Sequence, residues 1–284
     1  MPVNSTLLFY KCSDSTVGLF IFTSYSVIRT LLLLPLSIFV FYLGQRRWRQ
    51  QRSFSTTSHS DIFTYHMAAV NLFCILGNII FFCGMYTALS DMIVVGFYMY
   101  SIVFPGEMLF HILTCVDRYL AVVHPVTYRG LRQSRGVRIR NISIACVWLL
   151  CFGWCGIIAL YFPDLPNVPY LLSLLFSSAV VSFMSLRVLC VLIRPGPGEA
   201  GRDSVDQSKQ RAFNTIIAVT AVQWLWLIGA FICVVLYYSD VLSYSAGCIL
   251  ISSVDWFTLP SILVLPVLFV HRAGKLTYRH SNNK

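Results

Sequence analysis

The stretch HILTCVDRYLAVVHPVTYRG, from His111 to Gly130, decides how this chain is to be read. Ahead of it, Met92 to Val116 holds a single formal charge, Glu107. Asp117 and Arg118 then stand side by side, and Arg129, Arg132, Arg135, Arg138 and Arg140 crowd the loop that follows. Ionisable groups are costly inside a bilayer and tolerated at its edge, where basic residues gather on the inner side. An oily run that ends on an acid, a base and a basic loop therefore reads as a helix leaving a membrane.

The composition agrees. The 284 residues are 57% hydrophobic and 11% charged, with mean hydropathy +0.72, where an ordinary globular chain is about 25% charged. A bilayer core ~30 Å thick needs roughly 20 apolar residues at 1.5 Å per residue, and seven segments are long enough. They are predicted at about 19–43, 62–88, 92–116 running on to Val123, 141–162, 168–193, 212–238 and 243–270. Each far exceeds the ten or so residues of a barrel strand, and backbone groups in lipid must bond within their own segment, so the expected fold class is an all-α, seven-helix membrane bundle. Residues 1–18 read as an extracellular N-terminus, 19–270 as the helical domain and 271–284 as a cytosolic tail.

Orientation follows from the loops. Arg46, Arg47, Arg49 and Arg52 fill the first connection, the five arginines above the second, and Arg194, Arg202, Lys209 and Arg211 the third. The tail adds Arg272, Lys275, Arg279 and Lys284, whereas 89–91, 163–167 and 239–242 have no Lys or Arg. By the positive-inside rule the C-terminus is cytosolic. The net charge of +10 is thus a topology signal divided among membrane-flanking segments, and nucleic-acid binding is not expected. Asn4-Ser5-Thr6 is a glycosylation acceptor on the outer side. No catalytic constellation or metal-ligand spacing emerges, so no enzyme is expected.

Asp117-Arg118-Tyr119-Leu-Ala-Val-Val-His-Pro125-Val-Thr-Tyr128 resembles the junction of helix three and the second intracellular loop of rhodopsin-like G-protein-coupled receptors. Trp148 stands where that family keeps a Trp in helix four, and Trp224 resembles the aromatic switch of helix six. Leu265-Pro266-Val-Leu-Phe269 resembles the Asn-Pro-x-x-Tyr motif of helix seven, with HRAGKL after it like the start of a short amphipathic eighth helix. The resemblance implies a plasma-membrane receptor that passes an extracellular signal to a heterotrimeric G protein, with Asp117, Arg118, Tyr119, Pro125, Trp224, Pro266 and Phe269 as coupling or switch residues. It further implies Asp206, 18 residues before Trp224, as a partner facing Arg118.

The departures are equally specific. The position of the usual outer cysteine of helix three is Ile93, and Pro163 to Asn167 contains no cysteine, so the family's disulfide cannot form. Cys12 and Cys248 are the two cysteines expected on the outer side, where the alternatives are a bridge across the pocket, as in chemokine-type receptors, and two free thiols. No Pro follows Trp224; Gly229 could supply a kink or simply a packing contact.

For the ligand, the amine-receptor Asp of helix three is replaced by Tyr100, which argues against protonated amines, and helix seven has no Lys for a retinal Schiff base. Phe97, Tyr100, Ser101 and Phe104 share a helical face, with Trp224, Phe231, Asp255 and Trp256 opposite. Such a lining suits a small apolar, odorant-like molecule or a lipid. Arg29 and Asp255 are the lone charges of neighbouring helices one and seven at equal depth, which makes an ion pair feasible. The family's sodium-binding Asp of helix two falls on Asn71. Glu107, 11 residues or about 16 Å before Arg118, is expected to face Asn71, either binding sodium or held protonated. Rival readings are a receptor fold that no longer couples, serving as scavenger or chaperone, and a seven-helix transporter, disfavoured because paired broken helices are not evident in the sequence.

Overall fold

The computed structural model describes residues 16–51, 59–131, 134–161, 167–193, 203–238 and 242–281; at several helix ends, among them 203–212 and 272–281, it describes the backbone alone. The described residues form helices and no strands. In chain order they are α1 (Thr16–Gln51), α2 (His59–Thr87), α3 (Ser90–Ser101), α4 (Val103–Val123), α5 (Pro125–Leu131), α6 (Ser134–Tyr161), α7 (Asn167–Ile193), α8 (Asp203–Tyr238), α9 (Tyr244–Ser253) and α10 (Leu259–Ser281). A 3₁₀ turn, Val254–Thr258, joins the last two. Seven stretches are long and apolar enough to cross a membrane: Thr16–Arg46, Asp61–Thr87, Ser90–Val123, Gly136–Tyr161, Asn167–Val191, Phe213–Tyr238 and Ser245–His271. The chain is a seven-helix bundle of multi-pass membrane type, with Arg46 and Arg49 at the end of α1 and Arg129, Arg138 and Arg140 after the third span marking an arginine-rich end.

The third span is the hub. It is the most buried of the seven and packs against the second, fourth, fifth and sixth, while the first span, the least buried, lies against the second and the seventh. Phe110, Met67, Val181, Ile216 and Leu265 meet in the main core toward the arginine-rich end; Phe104, Met108, Leu174 and Trp226 form a smaller one above it.

Hydrophobicity does not hold helices together in lipid, so close packing must. The second and third spans achieve it with glycine: a Cβ on Gly96 would sit 2.4 Å from the Phe81 backbone nitrogen, and one on Gly84 2.7 Å from that of Ile93. Their connection is correspondingly tight. Ala88 turns the chain at φ 55°, and the Leu89 N–H reaches back to the Gly84 carbonyl at 3.0 Å, a Schellman closure of α2. Between the fifth and sixth spans the contact is polar: Gln223 donates to Ser177 at 2.6 Å, the Trp224 indole to Ser182 at 2.8 Å, and Ser185 bonds Thr220.

Two spans expected to be continuous are interrupted, each just ahead of a proline. Pro105 has no N–H for the Ser101 carbonyl and its ring crowds it. The chain takes a turn at Ile102, the Ser101 hydroxyl bonds back to the Tyr98 carbonyl at 2.7 Å, and helical pairing resumes from Gly106 to Ile102. In the seventh span Pro260 leaves the Trp256 carbonyl without its ordinary donor, and the Leu259 N–H takes that carbonyl from one residue nearer. The backbone tightens into the 3₁₀ turn as a result. The sixth span, by contrast, runs unbroken through Gly229, where a Cβ would strike the Phe257 ring at 2.4 Å: this glycine serves packing and makes no kink. At the C-terminus α10 continues without a break to Ser281, so the separate eighth helix expected at HRAGKL is not seen among the described residues.

Candidate functional site

The two interruptions meet at one cavity of about 150 Å³. Its apolar wall comes from Phe97 and Phe104 of the third span, Trp154 of the fourth, Tyr170 of the fifth and Trp226 of the sixth. Phe104 is the centre of that wall: its ring lies 4.5 Å from Tyr170, 4.9 Å from Trp154 and 5.6 Å from Trp226, the last edge-on, with the Trp226 indole donating to the Tyr170 hydroxyl at 2.8 Å. The remaining wall is charged. Arg29, Glu107 and Asp255 all line the cavity, together with Tyr100, Ser101 and Thr258.

Arg29 is 1% exposed, as is Glu107. Their Nη2 and Oε1 atoms lie 3.7 Å apart, an ion pair without a hydrogen bond. The guanidinium sits between two rings, 5.9 Å from the centre of Tyr25 and 5.5 Å from that of Tyr100, a cation–π clamp. Nη1 donates to the Tyr25 hydroxyl at 3.4 Å; that hydroxyl bonds Thr258 at 2.7 Å, and Thr258 donates to the Asp255 carbonyl at 2.6 Å. A chain of polar contacts thus runs from the first span into the 3₁₀ turn of the seventh. Tyr100 of the third span and Asp255 of the seventh line the same cavity. The 3₁₀ turn is what holds Asp255 and Thr258 toward the same centre.

This geometry corrects several sequence expectations. Among the described residues the ion pair of Arg29 is with Glu107, not Asp255. Arg29 is long enough to reach across to the third span, and backbone depth alone does not tell which acid it meets. Glu107 is not hydrogen-bonded to Asn71, whose amide nitrogen and oxygen are both buried and without a hydrogen-bond partner. The group that Glu107 does have within 4 Å is the Arg29 guanidinium.

On the sixth span the buried stripe is Ile216, Val219, Gln223, Trp226, Ala230 and Cys233, at helical spacing. Trp224 and Phe231 fall off that stripe and are 40% and 56% exposed on the outer face; the tryptophan in the cavity is Trp226. Trp256 lies edge-on against Tyr25 at 5.8 Å and does not line the cavity. Phe97, Tyr100, Ser101, Phe104 and Asp255 line it as expected. Trp154 and Tyr170 were missed; their only signal in the sequence is an aromatic ring with a polar handle in a lipid span.

At the other end of α4, Asp117 is buried and Arg118 partly so, with the Arg118 Nε lacking a hydrogen-bond partner. Tyr119 meets His124 edge-on at 5.7 Å, its hydroxyl 3.5 Å from the ring nitrogen. Pro125 is exposed and opens the short helix α5, where its missing N–H costs nothing. The Trp148 indole donates to His66 of the second span at 3.3 Å, and His66 stacks on Phe110. Pro266 is buried within α10, and Phe269 packs edge-on against Tyr65 at 5.5 Å.

Asn4 and Cys12 lie outside the described residues, and of Asp206 only the backbone, within α8, is described. Cys248 is disulfide-bonded, while the other described cysteines are free. The chain matches no protein-family model, and no curated protein is similar to it.

Proposed function

We propose that the chain is a plasma-membrane receptor of the rhodopsin-like type, with its N-terminus outside. In this reading a small molecule enters the cavity and shifts the population between two packings of the spans, and a heterotrimeric G protein engages the arginine-rich end through Asp117, Arg118 and Tyr119. The observation that carries it is the third span itself. One continuous helix, α4, bears the cavity residues Phe104 and Glu107 near its start and the Asp-Arg-Tyr segment near its end. Phe104 and Arg118 are about 21 Å apart along the axis, within the most buried span of the bundle, so a change in how the cavity packs has a rigid element through which to reach the loops.

Nucleotide exchange on G proteins in membranes expressing the chain tests this. Exchange above that of empty membranes, reduced several-fold by Arg118→Ala at equal surface expression, is the expected result. Exchange equal to empty membranes, with and without the cavity ligand, assigns the chain instead to the non-coupling receptor folds that scavenge or chaperone.

A transporter is the second reading, favoured by one observation: the third and seventh spans are both interrupted beside buried charges, the arrangement by which carriers expose backbone to cargo. Solute or proton flux into proteoliposomes that is abolished by Glu107→Gln would establish it over the receptor.

A further inference from the structure

One guanidinium and two carboxyl groups line the cavity. Arg29 is committed: Glu107 stands 3.7 Å from its Nη2, and tyrosine rings flank the guanidinium at 5.9 and 5.5 Å. Asp255 is not. Among the described residues no cation lies within 4 Å of it, and Arg29, whose near contact is with Glu107, acts on it only from farther away. A carboxylate inside a lipid-surrounded bundle requires a cation or a proton. The same cavity is lined by Phe104, Trp154, Tyr170 and Trp226, and aromatic ring faces attract a desolvated cation.

We propose that the cavity binds a small organic ammonium ion, its nitrogen on the Asp255 carboxylate and its apolar body among Phe104, Trp154, Tyr170 and Trp226. The volume of about 150 Å³ suits a body of one ring or a short alkyl chain, since a cavity of about that size holds benzene. An anion would face two carboxylates, with the only guanidinium already enclosed by Glu107 and two rings. A neutral molecule would leave Asp255 to be neutralised by a proton of its own, the outcome in which an alcohol competes with the ammonium ion. This corrects the expectation of an apolar ligand: Tyr100 does replace the usual acid of the third span, but the 3₁₀ turn ahead of Pro260 brings an acid to the same cavity from the seventh.

The inference rests on reading the cavity as a ligand site and is tested by binding, independently of signalling. The full chain in nanodiscs is titrated with radiolabelled 2-phenylethylammonium, with 2-phenylethanol and 3-phenylpropanoate as competitors. Saturable binding that neither competitor displaces is expected, weakened about thirtyfold or more by Asp255→Asn and largely retained in Asp255→Glu. Equal displacement by the alcohol or the acid, unchanged affinity in Asp255→Asn, or no saturable binding of either 2-phenylethylammonium or butylammonium overturns it. Should Asp255→Asn fail to fold, judged by size exclusion, competitor selectivity on the wild type and the Asp255→Glu result still decide. Ammonium binding without nucleotide exchange would overturn the receptor reading and leave this one standing; exchange without ammonium binding would do the reverse.

Discussion

A guanidinium with five donors, 1% exposed and in contact with one carboxylate and two tyrosines, is the least ordinary residue of the molecule. Burying two opposite charges is favourable only as a pair, and removing one partner strands the other at a cost of about 3–5 kcal/mol. Arg29→Met should therefore lower the thermal midpoint of the solubilised protein sharply, and Glu107→Leu should do the same alone. The double variant should recover most of the loss, because an apolar pair of similar volume tolerates the site. A coupling of at least ~1 kcal/mol in that cycle is expected. Recovery by Asp255→Leu in place of Glu107→Leu would reassign the pair to the seventh span.

Single residues act strongly on two elements. Gly96 lets the second and third spans touch backbone to backbone, with Phe81 nitrogen 2.4 Å from where a Cβ would stand. The obstacle is main chain, which cannot rotate away, so Gly96→Leu should force the spans apart and destabilise by about 1–3 kcal/mol or more, visible as lost surface expression. Gly153, with nothing within 4 Å of its Cβ position, is the control that should tolerate the same change. Pro260 acts in the opposite sense. It interrupts a span that would otherwise be more regular, and Pro260→Ala should leave the fold intact or firmer while straightening the 3₁₀ turn that presents Asp255 and Thr258. Ligand affinity should fall as thermal stability holds or rises. Unchanged affinity would show that the turn does not set the position of Asp255.

At the scale of the whole molecule, the disulfide is a test of architecture. Cys248 is bonded near the start of the seventh span, at the end opposite the arginine-rich loops, while Cys83, Cys146 and Cys190 are exposed free thiols. Alkylation before reduction should modify Cys83, which lies near the end of the second span, and spare Cys248, which becomes reactive only after a reductant. Peptide mapping of the unreduced chain should recover Cys248 linked to the peptide carrying Cys12, the pairing raised from the sequence. In intact cells an impermeant reductant should suffice to expose Cys248, since the bond is expected on the outer face, where an oxidising setting maintains it. Protection of Cys248 until the membrane is permeabilised would invert the orientation read from the basic loops.

The amino-acid sequence by itself determined that this chain crosses a membrane seven times, and nearly where. That information is one-dimensional: about twenty apolar residues per crossing, with arginines between alternate crossings. It also singled out Arg29, Glu107 and Asp255, because a charge in an oily run is conspicuous without any structure. Which face of each helix turns inward was not legible. In lipid the outer face is as apolar as the inner, so the 3.6-residue period that marks a buried stripe in a soluble protein is almost erased. For that reason Trp224 and Phe231 pointed out where Trp226 points in. Nor could depth along the helices choose the partner of Arg29, a flexible side chain that several spans can reach. Only the tertiary structure decided those matters: two prolines break two spans at one height, and the breaks gather an arginine, two acids and a wall of aromatic rings around one cavity.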